Sequence, residues 1–170
     1  MLNHILVTLD GSELAEAALN YATQIVAPGA KISLLSVLDV PNMQVYTLYE
    51  VPMVVQQGDY DQFVANLERS GREYLLRVTN RLKGQGYDAV PYLEMGEPAA
   101  VIVDKARSLA VEAIVISTHG RSGFSRWLFG SVTQKVLNTM PCPVFVVPGL
   151  AAEKVAEESE ATASRKLSPT

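Results

Sequence analysis

The stretch Ala113-Ile114-Val115-Ile116-Ser117-Thr118-His119-Gly120, continued by Arg121-Ser122-Gly123-Phe124-Ser125-Arg126-Trp127-Leu128-Phe129-Gly130-Ser131-Val132-Thr133, decides the fold. Ala113 to Ser117 is a short apolar run, with Ile114, Val115 and Ile116 in series, as in a strand covered on both faces. The glycines at 120, 123 and 130 mark a turn-rich connection. From Ser131 to Met140 the pattern turns helical, and Ser131 and Gln134 have capping-box spacing. Val144 to Val147, bracketed by Pro143 and Pro148, is a final short strand at an expected sheet edge. Strand, connection, helix and strand make one parallel unit.

Upstream the same alternation repeats. Leu2 to Leu9 reads as a buried strand around Ile5-Leu6-Val7, stopped by Asp10-Gly11-Ser12. Ser12 is a good N-cap, and Glu13 and Glu16 favour the positive start of the helix that follows. Leu14, Ala18, Ala22 and Ile25 form its apolar face, and Pro28-Gly29 ends it. Ile32 to Leu38 is a second strand. Pro41 to Tyr60, holding Tyr46 and Tyr49, has no period and is expected to be a long loop. A helix from Asp61 to Gly84 turns Phe63, Leu67, Tyr74, Val78 and Leu82 to one side. Ala89 to Met95 is a strand. Gly96-Glu97-Pro98 opens a helix with Ile102, Ala106 and Leu109 inward.

This order predicts an α/β fold: an open five-stranded parallel sheet with helices on both faces, joined by right-handed crossovers. Residues 1–149 are expected to form the domain. Residues 150–170, rich in Ala, Glu and Ser and without aromatics, are expected to be a flexible tail.

The chain has 170 residues, enough for one domain with a real core, and a formal net charge of -4 that speaks against a nucleic-acid partner. No apolar run is long enough to span a membrane, and Met1 to Asp10 lacks the pattern of a secretory signal, so a cytoplasmic location is expected. The single cysteine, Cys142, lies between two prolines and reads as a small buried hydrophobe.

In open parallel sheets ligands bind beyond the carboxyl ends of the strands, near the switch in strand order. Three segments emerge there: Thr8-Leu9-Asp10-Gly11-Ser12, Ser36-Val37-Leu38-Asp39, and Ser117 onward. The third is the most specific. Its glycines allow close backbone approach, successive N–H groups make a nest for anions, and Gly130-Ser131 opens a helix whose positive end favours phosphate. Ser131 and Thr133 add hydroxyl donors, and Arg121 and Arg126 add cationic charge. A polyphosphate is the natural ligand. Neither a P-loop nor a Gly-x-Gly-x-x-Gly fingerprint occurs. His119 is read as a loop histidine rather than a base, since no Ser, His and Asp set stands at motif spacing. Trp127, Leu128 and Phe129 read as packing under the loop. With only His4 and His119, a histidine metal site is not expected.

These residues resemble the universal stress protein family, whose motif Gly-x2-Gly-x9-Gly-Ser/Thr is matched by Gly120, the nine residues Arg121 to Phe129, and Gly130-Ser131, with Ser117 in place of the first glycine. The resemblance runs from Ile5 to Val147, including Leu9-Asp10-Gly11-Ser12 and Pro141-Cys142-Pro143-Val144-Phe145-Val146-Val147. It implies an ATP-binding member with a Rossmann-like, adenine nucleotide alpha hydrolase-like fold, acting in stress response or signalling. The implied contacts are Thr8, Leu9, Asp10, Val37, Ile116, Ser117, His119, Gly120, Arg121, Gly123, Gly130, Ser131, Val132 and Thr133. Val37 would meet adenine through its backbone, Asp10 would lie near the nucleoside, and Gly120-Arg121 with Gly130 to Thr133 would hold phosphates. Mg or Mn would accompany the phosphate oxygens, with Asp10 as helper. A homodimer through Val144 to Val147 is also implied. Two other readings use the same residues: a slow ATPase or nucleotidyl-transfer enzyme, and a ligand-free interaction scaffold.

Overall fold

The computed structural model describes residues 1–40, 47–48, 51–52, 57–118 and 129–148. In the first strand, β1 (Leu2–Thr8), successive side chains enter opposite layers: Ile5 and Val7 join one buried cluster and Leu6 the other, and all three are wholly buried. The same split divides Leu34 from Leu35 in β2 (Val26–Leu38) and Val115 from Ile114 in β4 (Ala113–Ser117). A strand with two buried faces needs an unbroken apolar run, which is why these segments lack clean alternation.

With β3 (Asp88–Met95) and β5 (Val144–Val147) they form one parallel sheet in the order β3-β2-β1-β4-β5. The helices α1 (Glu13–Ile25) and α2 (Gln57–Gly84) cover one face through Ala15, Ala18, Leu19, Ala22, Leu75, Val78 and Leu82. On the other face, α3 (Pro98–Ser108) and α4 (Ser131–Thr139) supply Ala99, Ile102, Ala106 and Val136. The chain winds outward from β1 to β3, then crosses back to β4 and β5. The order therefore reverses between β1 and β4.

The structure shifts several expected boundaries. Pro28-Gly29 does not end α1, which stops at Ile25; it lies inside β2, as an irregular lead-in. Leu2 pairs with Val26 but His4 pairs with Lys31, so β2 bulges at the point where Pro28 has no N–H and Gly29 takes φ +75°. Within the expected loop at 41–60, Thr47–Leu48 pairs antiparallel with Val51–Pro52, and α2 starts at Gln57 rather than Asp61. Phe63 is not on the buried face but 53% exposed. The 28 residues of α2 span about 42 Å, whereas the eight of β3 span roughly 26 Å, so the first turns of α2 overrun the sheet. Met140, expected as the last residue of α4, is its left-handed cap at φ 33°. The side chains of Glu13 and Leu14, the tyrosines Tyr46 and Tyr49, and the expected tail at 150–170 lie outside the described residues.

Candidate functional site

At the end of β1, Thr8 and Leu9 are buried and the Leu9 N–H donates to the Leu35 carbonyl at 2.8 Å, which holds the ends of β1 and β2 together. The chain then turns at Asp10. Its Oδ1 accepts from the Ser12 N–H at 3.0 Å and from the Ser12 hydroxyl at 2.6 Å, and the Ser12 oxygen accepts from the Ala15 N–H at 3.2 Å. Asp10 therefore orients the cap of α1 while its carboxylate stays at the strand end.

Ser117 closes β4 and is buried. Beyond it, Thr118 donates its N–H to the Val147 carbonyl of β5 at 2.9 Å, and its carbonyl accepts the Gly130 N–H at 2.7 Å. The start of α4 is thus tied to the end of β4. Gly130, with φ -57°, is the N-cap residue and has no side chain to cap with; the expected cap Ser131 is already the first helical residue. The first intrahelical donor is Gln134, whose N–H reaches the Gly130 carbonyl at 2.9 Å. The N–H groups of Ser131, Val132 and Thr133 precede it and find no acceptor among the described residues. The other two characterised caps differ: Ser12 caps α1, and the Glu97 carboxylate caps α3 by accepting the Ala100 N–H at 2.7 Å. Glu97 also accepts from Lys135 at 2.8 Å, and the two contacts hold its carboxyl below the usual carboxylate range.

These pieces surround one cavity of about 380 Å³, within the range of roughly 300–1,000 Å³ usual for small-molecule sites. Thr8, Leu9, Asp10, Val37, Ile116, Ser117, Gly130, Ser131, Val132 and Thr133 all line it. His119, Gly120, Arg121 and Gly123, and with them Arg126, Trp127 and Leu128, lie outside the described residues. Phe129 was expected to pack under the loop, yet it is 47% exposed. Thr133 lines the cavity, but its hydroxyl, expected to donate to a ligand, donates instead to the buried Ser117 carbonyl at 2.9 Å. Cys142, expected to be buried, is only half-buried against the α3/α4 layer, and that burial pushes its thiol up.

The cavity also takes in Ala15, Leu35, Asp39, Pro98 and Ile102, which were not among the expected contacts. Asp39 follows β2 and was visible in the sequence as one of the three strand-end segments. Pro98 and Ile102 arrive because α3 connects β3 at one edge to β4 beyond β1, and so passes over the reversal point. A second cavity of about 450 Å³ shares Asp10, Val37 and Asp39 but is otherwise walled by Gly11, Ser36 and Leu38 and by Leu67, Ser70, Gly71 and Tyr74 of α2. Among the described residues no three His, Cys, Asp or Glu side chains group as metal ligands. No described helix is long and apolar enough to cross a membrane.

A profile described as the universal stress protein family matches residues 1–148. The universal stress protein YxiE of Bacillus subtilis is 29% identical over 149 residues, covering 86% of this chain and 99% of its own. The solved structure of universal stress protein UspA from Lactobacillus plantarum superposes with a TM-score of 0.69 at 23% identity, covering 86% of this chain and 97% of its own. A family protein from Arabidopsis thaliana with AMP bound has a TM-score of 0.59 at 17% identity, over 86% of this chain and 91% of its own. A universal stress protein in complex with cAMP has a TM-score of 0.60 at 20% identity, over 87% and 98%. These structural likenesses bear on the fold.

Proposed function

The chain belongs to the universal stress protein family, and from that premise we propose that its strand-end cavity binds an adenine nucleotide, ATP by preference, as a stress-response or signalling input. One observation carries the reading. The first turn of α4 turns three N–H groups without a described acceptor toward a cavity at the reversal of strand order. Such a helix start favours phosphate through both its hydrogen bonds and its dipole. Val37, Leu35, Ile102 and Ile116 give the other wall an apolar character suited to a base, and Asp10 and Asp39 offer acceptors for ribose hydroxyls. The AMP and cAMP complexes of two proteins of the same fold support an adenine nucleotide as the class.

The ligand acts by occupancy, with slow hydrolysis at most. A divalent Mg or Mn ion fits only as a companion of the polyphosphate, with Asp10 supplying one carboxylate, because no three-residue ligand group stands among the described residues. His119, Gly120, Arg121 and Gly123 belong to the proposed contact set through the motif. A cytoplasmic location suits a nucleotide sensor.

Calorimetric titration with ATP, ADP, AMP and cyclic AMP tests the reading, repeated on Gly130→Val. At φ -57° the backbone of Gly130 accepts valine without strain, so the branched side chain acts on ligand approach. Wild type is expected to bind ATP, and the variant to bind it roughly 30- to 150-fold more weakly, the loss of two or three phosphate hydrogen bonds at ~1 kcal/mol each. Absence of binding to every nucleotide by wild type would defeat the proposal.

The same reading includes a homodimer through β5. The edge strand β3 carries Pro91 and the Glu94–Lys105 ion pair, devices that discourage pairing. The opposite edge, Val144-Phe145-Val146-Val147, has neither proline nor charge within it, and Phe145 is 42% exposed. Sedimentation is expected to give a dimer, and Phe145→Lys a monomer; a wild-type monomer at micromolar concentration overturns this part.

A further inference from the structure

We propose that Thr133 is a positioning residue that sets the direction of the α4 phosphate donors by pinning the first helical turn to β4. This deepens the nucleotide reading and rests on it. The motif suggests that this hydroxyl donates to phosphate, but a threonine hydroxyl has one hydrogen, and here it is spent on the Ser117 carbonyl at 2.9 Å. Toward an anion the same oxygen then presents only lone pairs. Both groups are buried, Thr133 at 3% and Ser117 at 9% exposure, so water does not replace the bond at little cost.

A second anchor lies one residue further along the strand end and three residues earlier on the helix side: the Gly130 N–H on the Thr118 carbonyl at 2.7 Å. Two bonds from one short strand end to residues three apart on the helix fix both the distance and the tilt of its first turn. One bond alone would leave a pivot. The N–H groups of Ser131 and Val132 sit between these anchors and that of Thr133 on the anchoring residue itself, and all three residues line the cavity. Donors held in place before the ligand arrives bind without a further ordering cost, and a small tilt misaligns all of them together. The pin acts on the phosphate end of the cavity. The base end, built by Val37, Leu35 and Ile102, takes its position from β2 and α3.

The test compares ATP with adenosine by calorimetry on wild type, Thr133→Val and Thr133→Ser. Thr133→Val keeps the shape and removes the donor; it is expected to cut ATP affinity about tenfold and leave adenosine affinity within about twofold, so that the preference for ATP collapses. Thr133→Ser restores the donor and is expected to restore the preference. Where Thr133→Val does not fold, Thr133→Cys, a weak donor of similar size, is expected to lose part of the preference. A residue that served stability alone would lower Tm in these variants with the ATP-to-adenosine ratio unchanged, and that result overturns the inference. Wild type that binds ATP no better than adenosine defeats the phosphate reading itself, and the inference falls with it.

Discussion

At the amino ends of the strands the Glu112 carboxylate accepts the N–H groups of Asn3 and His4, and the His4 ring meets the Ser33 hydroxyl at 3.0 Å. At the carboxyl ends Thr8, Asp10, Ser117 and the first turn of α4 stand around a cavity of about 380 Å³. Both ends collect polar groups, since both are where strands stop and backbone groups lose their ladder partners. The amino end satisfies them with its own side chains. At the carboxyl end the N–H groups of Ser131, Val132 and Thr133 find no acceptor among the described residues, and all three residues line the cavity. A parallel sheet makes this asymmetry natural, because every crossover brings a helix start, with its unpaired donors and positive dipole end, to the carboxyl side.

The sharpest way to break this contrast is to disturb each end and ask which property moves. Gly130→Val, at the carboxyl end, is expected to abolish most ATP binding while leaving Tm close to that of wild type, measured by calorimetry and thermal melting on the same preparation. Glu112→Gln, at the amino end, is expected to do the reverse. It keeps the shape and removes the charge that two main-chain N–H groups hold, so Tm falls at neutral pH and ATP affinity is unchanged. These contacts keep the Glu112 carboxyl below its usual value, so its contribution is present above pH 4.5 and is lost as pH falls through the lowered folded value. The Tm gap between variant and wild type should therefore close in acid.

The smallest expected effect belongs to His4. Burial and the charge of Lys31 push its imidazole below the usual value, against the opposite pull of Glu112 and Asp88. The unfolded chain then takes up a proton near pH 6.5 that the folded chain refuses until lower pH. The stability tied to neutral His4 is complete above that pH and declines as pH falls through it. Urea unfolding at about pH 8 and about pH 5.5 should show the decline, and His4→Asn should flatten it. Nucleotide affinity that followed the His4 titration would show the two ends to be coupled and would blur the contrast.

Much of the fold was legible because its signals are local. Ile5-Leu6-Val7, Ile114-Val115-Ile116 and Val144 to Val147 are apolar runs too short for helices, and Ser12 and Pro98 announce helix starts through their own chemistry. The misreadings have a common cause. Pro28-Gly29 looks like a stop, but pairing of Val26 with Leu2 draws the preceding residues into β2. Phe63 has the right period for a buried face and no sheet beneath it. Ser131 has the right spacing for a cap, yet the bond from Gly130 to Thr118 starts the helix one residue earlier.

The sequence by itself determined the alternation of strands and helices, the strand-end segments at Asp10, Val37 and Ser117, and the helix start at Gly130-Ser131. Each of these depends on neighbours within a few residues, where propensity, period and capping act. Only the tertiary structure decided that β3 is the edge opposite β5, that α3 carries Pro98 and Ile102 over the reversal point, and that the Thr133 hydroxyl is committed to Ser117. Strand order is a choice among packings with similar local energies, and a hydroxyl sixteen residues from a carbonyl finds it only after the sheet and helix have met.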